Sequence, residues 1–389
     1  PPPPPPPPPP PRFFFKAEEG IRDAQESRGL GDVYKRQRPG DAEVRRGADA
    51  FYNYEYEQSV KTLDNSRKKY PNHPGVHIAW VAAKWRSDES TLSRENVYKN
   101  FDKNLDVIEL VYESLLAENP SDPEYLLYHG TTKGLKARIL LGQKKWIPTL
   151  FSAYKGFRII QKVEQIDSTL LDLYLPIGIV EYYAGMSNVL IKAGAELFGL
   201  EASKQEGLRK MEIAATQSPW AWTEATSILS FIYQFVDIDI ERGYLLSKKL
   251  VEKYPNNYDY KIHYVQSLLQ KGDLQLAREL LEELNESLNK QRPRHQELFT
   301  SYVYYLWAYY YYLNGDEGKA LNFSNLSIDN YYSDLDAFLG EAYLLKGKIM
   351  DKQGKRMEAV VAYKKCVKLG NYTNAIKLAE EYLNNPFLQ

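Results

Sequence analysis

The chain has 389 residues, with 50 Lys and Arg against 51 Asp and Glu, a formal net charge of −1. So even a balance gives no bulk attraction to nucleic acid or to an anionic membrane, and neither is expected as a partner. The single cysteine, Cys366, rules out an intrachain disulfide framework and a cysteine-rich metal site, and fits a reducing cytosol or a bacterial periplasm equally.

Pro1–Pro11 open the chain and run into "RFFFKAEEGIRDAQESRGLGDVYKRQ". Taken as protein, this is a polyproline II arm followed by a polar linker. Ser27–Gln37 resembles the translation of a transposase-type sequencing adapter, and Ala17–Asp23 that of the primer sequence that precedes it. Residues 1–37 are therefore expected to be an artefact and are set aside. Next, "GADAFYNYEYEQSVKTLDNSRKKYPNH" carries two short helical faces ended by Pro71. In the middle, Pro120, Pro123 and Pro219 punctuate helices expected at about 95–118, 123–141, 146–163, 169–198 and 202–217. The run from 168 to 198 is the most apolar. Asp172, Glu181 and Lys192 interrupt it and Pro176 and Gly178 bend it, so buried helices are expected rather than a stable membrane span. Beyond residue 224 a helix–Gly–x4–Ala–helix pattern recurs three times: Gly272 with Ala277, Gly315 with Ala320, and Gly354 with Ala359. No alternating runs with hairpin turns occur, so the fold class is all-α.

This pattern resembles the tetratricopeptide repeat (TPR), a helix–turn–helix unit. In the unit 340–373, Gly347 takes repeat position 8, Ala359 position 20, Tyr363 position 24 and Cys366 position 27. Units follow at 224–257, 258–291 and about 301–334, and Gly47, Ser59 and Pro71 fit an N-terminal unit. Phe231 departs from the pattern, standing where a small residue belongs. Small side chains at these positions let antiparallel helices approach to about 8–10 Å, and a glycine frees the turn between them. The resemblance implies a right-handed α-solenoid of TPR-like repeats, divergent over 38–223 and regular over 224–389.

A reaction centre is hard to find. There is no phosphate-cradling loop, no HExxH and no GxSxG. Asp237–Gly243 imitates a calcium loop, but Arg242 holds its glycine position and Lys248 its closing glutamate position. His73 and His77 are four apart, with Pro74 and Gly75 breaking the helix that would align them. No catalytic residue, metal or cofactor is expected.

Residues 302–312, "YVYYLWAYYYY", are mostly aromatic. The repeat register puts Tyr304, Trp307, Ala308 and Tyr311 toward neighbouring helices. It puts Tyr302, Tyr305, Tyr309 and Tyr312 at positions 2, 5, 9 and 12, which in TPR proteins line the concave groove. The same positions elsewhere are Ala225, Ile228, Ile232 and Phe235, then Asp259, Ile262, Gln266 and Leu269, then Glu341, Leu344, Lys348 and Asp351. The expected partner-binding set is Tyr302, Tyr305, Tyr309, Tyr312, Ile228, Ile232, Phe235, Ile262 and Leu269. The function implied is a non-enzymatic scaffold holding a protein or peptide segment in that groove. Two rivals stand beside it: a small ligand or glycan in an aromatic pocket, and tyrosines that merely pack on a further helix such as the C-terminal "YTNAIKLAEEYLNNP". The adapter remnant points to a bacterial source, with the periplasm or cell envelope expected ahead of the cytoplasm.

Overall fold

Side-chain caps and glycine turns set the ends of several second-half helices. Asp239, Asn257, Asp273 and Asp316 each accept a bond from the backbone N–H three residues on, at 3.0, 3.0, 3.3 and 3.0 Å, so four second-half helices begin where a short polar side chain replaces a missing partner. Gly272, Gly315 and Gly354 end helices with φ of +82°, +78° and +70°, a left-handed turn that only glycine enters without strain.

The computed structural model describes residues 38–389 except Lys144, 187–201, Asp334 and Gln389. The expectation for 1–37 and the latter part of the 169–198 helix lie outside the described residues. Those described contain 17 α-helices and no strand. They are α1 Asp41–Tyr52, α2 Tyr56–Lys69, α3 Val76–Glu89, α4 Arg94–Glu118, α5 Pro123–Gly142, α6 Trp146–Ile166, α7 Tyr174–Met186, α8 Lys204–Gln217 and α9 Trp222–Phe231. Then follow α10 Ile240–Lys253, α11 Tyr258–Lys271, α12 Leu274–Leu288, α13 Pro293–Leu313, α14 Glu317–Asp329, α15 Ala337–Lys352, α16 Arg356–Lys368 and α17 Asn374–Asn384. The architecture is an all-α helical-repeat solenoid of TPR-like hairpins.

Small residues make the hairpin crossings. In α1–α2 the Ser59 hydroxyl donates to Gly47 O at 2.7 Å, and Leu63 fills the space a side chain on Gly47 would need. In α15–α16 the Tyr363 ring lies against Gly347, where an added Cβ would stand 2.2 Å from Cε1. Ala277, Ala320 and Ala359 are fully buried beside their turns. The unit with Phe231 at the small position breaks regularity: a π-helical turn, Ile232–Val236, follows α9. Gly243 then meets Gln234 and Tyr233 rather than Phe231, so the crossing slides along the helix to spare the bulky ring.

The middle hairpins use the same device. Gly130 of α5 faces Gly156 of α6, and Gly178 of α7 faces Gly207 of α8, each close enough that a Cβ would strike backbone.

The first three helices return to the middle of the chain. Tyr254 donates its hydroxyl to Asp49 at 2.9 Å, Asn257 Nδ2 donates to Tyr52 O at 2.8 Å, and Asn256 N to Asn53 Oδ1 at 3.1 Å. Arg292 bonds Ser90 Oγ at 3.1 Å and also pairs with Glu57. Arg45 donates to Pro219 O at 2.8 Å and lies over the Trp220 ring. At the other end, α17 reaches the π turn of α9. The path from α1 to α13 is thus a closed loop, and residues 40–389 form one compact unit.

Candidate functional site

The first helices of successive hairpins, α9, α11, α13 and α15, lie side by side, and their repeat positions 2, 5, 9 and 12 make up the expected trough. Tyr302, Tyr305, Ile232, Phe235, Ile262 and Leu269 are buried, whereas Tyr309, Tyr312 and Ile228 keep part of their surface. Tyr302 stacks on Phe338 with centroids 4.2 Å apart, Tyr305 meets the edge of the same ring at 5.6 Å, and Phe235 meets it at 5.0 Å. Phe338, at the start of α15, precedes the repeat unit and was missed from sequence.

Both tyrosine faces of α13 are partly covered. Tyr304, Trp307 and Tyr311, expected as core, are half-buried around Phe323 of α14, with Tyr311 stacked on it at 5.5 Å. Only Ala308 of that face is fully covered.

Charged groups share the trough. Burial among neighbouring helices raises the Glu224 carboxyl above the usual range. Arg86 of α3 pairs with Glu89 at 2.5 Å and acts electrostatically on Glu224, Tyr52 and Tyr260. Asp259 acts on Glu224, Tyr260 and His263. Farther along, burial pushes the Glu341 carboxyl up to about 7, with Lys348 pulling the other way, and burial also lowers Lys348. The Lys348 ammonium lies 5.1 Å from the Tyr312 ring centroid and 4.4 Å from that of Phe387.

Other groupings are already committed to structure. Asp237 accepts from Tyr182 at 2.9 Å and pairs with Lys204, while Asp239 caps α10, so the calcium-like stretch spends its carboxylates on the fold. His73 Nε2 lies 2.8 Å from Asp41 and its Nδ1 accepts from Gly75 N at 3.1 Å. His77 Nδ1 accepts from Arg67 and its Nε2 lies 2.8 Å from Pro71 O; burial holds this ring at about 4. Glu109, Glu113 and His129 converge within 4.8 Å of one another. Burial raises Glu109, but hydrogen bonds from Lys133 and Lys136 outweigh it and hold the carboxyl at about 2, so two ammonium groups already occupy the place of a cation. A cleft of about 960 Å³ between α4, α5 and α6 is lined by Tyr98, Phe151, Lys99 and Lys155 among others. Among the described residues, no helix is long and apolar enough to cross a membrane.

No protein-family model matches the chain, and no curated protein matches it. Among solved structures it is similar to a tetratricopeptide repeat protein from Parabacteroides merdae, at 11% identity over 88% of this chain and 97% of that one, with a TM-score of 0.37. It is similar to the Cut9–Hcn1 hetero-tetramer of the APC/C, at 13% identity over 90% and 73%, TM-score 0.36. Yeast Tom70 follows at 11% identity over 87% and 94%, TM-score 0.26.

Proposed function

We propose that the chain is a non-enzymatic interaction scaffold that holds a segment of a protein partner in the trough. The observation that carries this reading is the set of partly uncovered aromatic and apolar side chains at the expected groove positions, Ile228 on α9 and Tyr309 and Tyr312 on α13. Aromatic rings bury large area at low entropic cost and concentrate binding energy. Tyr302, Tyr305, Ile232, Phe235, Ile262 and Leu269 support that set from beneath and fix its spacing. The polar groups around Asp237, Asp239, His73, His77 and Glu109 are held in caps, hydrogen bonds and ion pairs. Photo-crosslinkers placed at Ile228, Tyr309 or Tyr312 are expected to capture one common partner, while one at Met357, 82% exposed on α16, captures none. Equal capture from Met357, or none from the trough, refutes the reading.

Closure favours a second reading, a small ligand or glycan stacked on the same tyrosines, because an enclosed trough admits less than an open groove. A partner captured from Tyr309 that a free sugar displaces would support it.

A further inference from the structure

Beyond the end of α17, residues 385–388 turn back onto α15. Pro386 has no N–H with which to continue a helix and holds the residue before it extended, with Asn385 at φ −120° and ψ 106°. Asn385, Pro386 and Leu388 are exposed, whereas Phe387 between them is buried. The Phe387 ring centroid lies 4.4 Å from the Lys348 ammonium and 5.3 Å from that of Tyr382, and the Phe387 N–H donates to Asp351 at 2.9 Å.

Lys348 and Asp351 stand at positions 9 and 12 of their repeat unit, the counterparts of Tyr309 and Tyr312 on α13. The same ammonium is 5.1 Å from the Tyr312 ring centroid, so the two rings share one cation and Phe387 extends the aromatic set by one member. Two features make its seat reversible. When Phe387 lifts away, Asp351 keeps Arg356 at 3.0 Å and the Tyr363 hydroxyl at 3.0 Å, so no buried charge is orphaned. The end of α17 is anchored separately, because Arg356 Nη2 donates to Tyr382 O and to Leu383 O at 2.8 Å each. One buried ring and one N–H must then offset the ordering of the exposed residues around them, which is a narrow margin.

We propose that α15 carries a binding site for an extended segment with an aromatic side chain, and that residues 385–388 are a strap seated in it. The Lys348 ammonium receives the ring face and the Asp351 carboxylate receives the N–H of the aromatic residue. A partner segment of this chemistry enters by displacing the strap; that entry rests on the scaffold reading, whereas the site does not.

The test compares the full chain with its Phe387→Ala variant, using a fluorescein-labelled peptide of residues 382–388, YLNNPFL, followed by fluorescence anisotropy. The variant is expected to bind the peptide at least tenfold more tightly, because the parent site is free only in molecules whose strap is open. Alanine in place of the peptide's phenylalanine should abolish binding, and adding Lys348→Ala to the variant should weaken it severalfold. Equal binding by parent and variant, or none by the variant, overturns the inference. Hydrogen exchange of the parent decides the matter if the variant fails to fold. The Phe387 amide should exchange more slowly than in the free peptide yet faster than the amides of α15, since the strap opens by itself. Exchange as slow as α15, or as fast as the free peptide, overturns the inference. Neither readout needs a partner, so failure here leaves the scaffold reading to its crosslinks.

Discussion

Gly347→Ala adds one methyl group at the tightest crossing of the C-terminal hairpin. Its Cβ would stand 2.2, 2.6 and 2.7 Å from Cε1, Cδ1 and Cζ of Tyr363. Carbon atoms rest at about 3.5–4.0 Å, so the ring must retreat by roughly 1 Å or more. It has nowhere to go. Tyr363 is fully buried and its hydroxyl donates to Asp351 at 3.0 Å, on a carboxylate that also holds Arg356 and, at 2.9 Å, Phe387 N. Overpacking costs about 1–3 kcal/mol, and spoiling a hydrogen bond to a charged acceptor costs about 1.5–3 kcal/mol. The better helix propensity of alanine returns about 1 kcal/mol. The net is a loss of about 2–5 kcal/mol, read as a lower midpoint in urea unfolding followed by circular dichroism at constant slope. Shrinking the ring with Tyr363→Leu should recover part of it in the double variant. A stability equal to or about 1 kcal/mol above the parent, which helix propensity alone would give, refutes the close crossing.

Three further outcomes follow from the same packing. Glu341 has an ordinary value of 4.5 and a folded value of about 7, set by burial against the opposing pull of Lys348, with Tyr305 and Tyr309 beside it. The unfolded chain releases this proton first, so stability declines as pH rises from the lower value to the higher. Glu341→Gln should therefore stabilise by about 1–3 kcal/mol at pH 8, after allowing for the water that still reaches the group, and change nothing near pH 4; a loss at pH 8 would mean that the carboxylate is bonded after all. Burial raises the Cys366 thiol, which sits 3.3 Å from Gly340 O, so it should resist a disulfide reagent in native buffer and react only on unfolding. Tyr254→Phe removes the bond to Asp49 and should cost about 1 kcal/mol; no change would mean that this contact contributes nothing to closing the loop.

How much could be read beforehand depended on the range of the interaction. Caps, glycine turns and the Gly347–Tyr363 crossing are settled within one hairpin, and local spacing revealed them. Gly130–Gly156 and Gly178–Gly207 went unseen because these pairs stand 26 and 29 positions apart rather than the 12 that separate Gly47 from Ser59 and Gly347 from Ala359. The trough was legible as a set of positions but not as a set of burials. Phe338 lies outside the repeat register, and the contacts of Asp49, Tyr52 and Ser90 join residues some two hundred positions apart, so no periodicity could announce that the inner tyrosines are covered. Gln266 was assigned a groove position by register alone; that its Oε1 is buried without a partner is a fact of three dimensions.

The return of α1 to Tyr254 and Asn257 has a consequence for biosynthesis. An open repeat array can settle hairpin by hairpin as it leaves the ribosome, because each unit needs only its neighbour. Here Tyr52 and Asp49 meet residues 205 positions downstream, a delay of roughly 10–40 s at ordinary elongation rates. Throughout that interval the nascent N-terminal hairpin shows the ribosome surface, and any waiting chaperone, a docking edge that the finished molecule never displays.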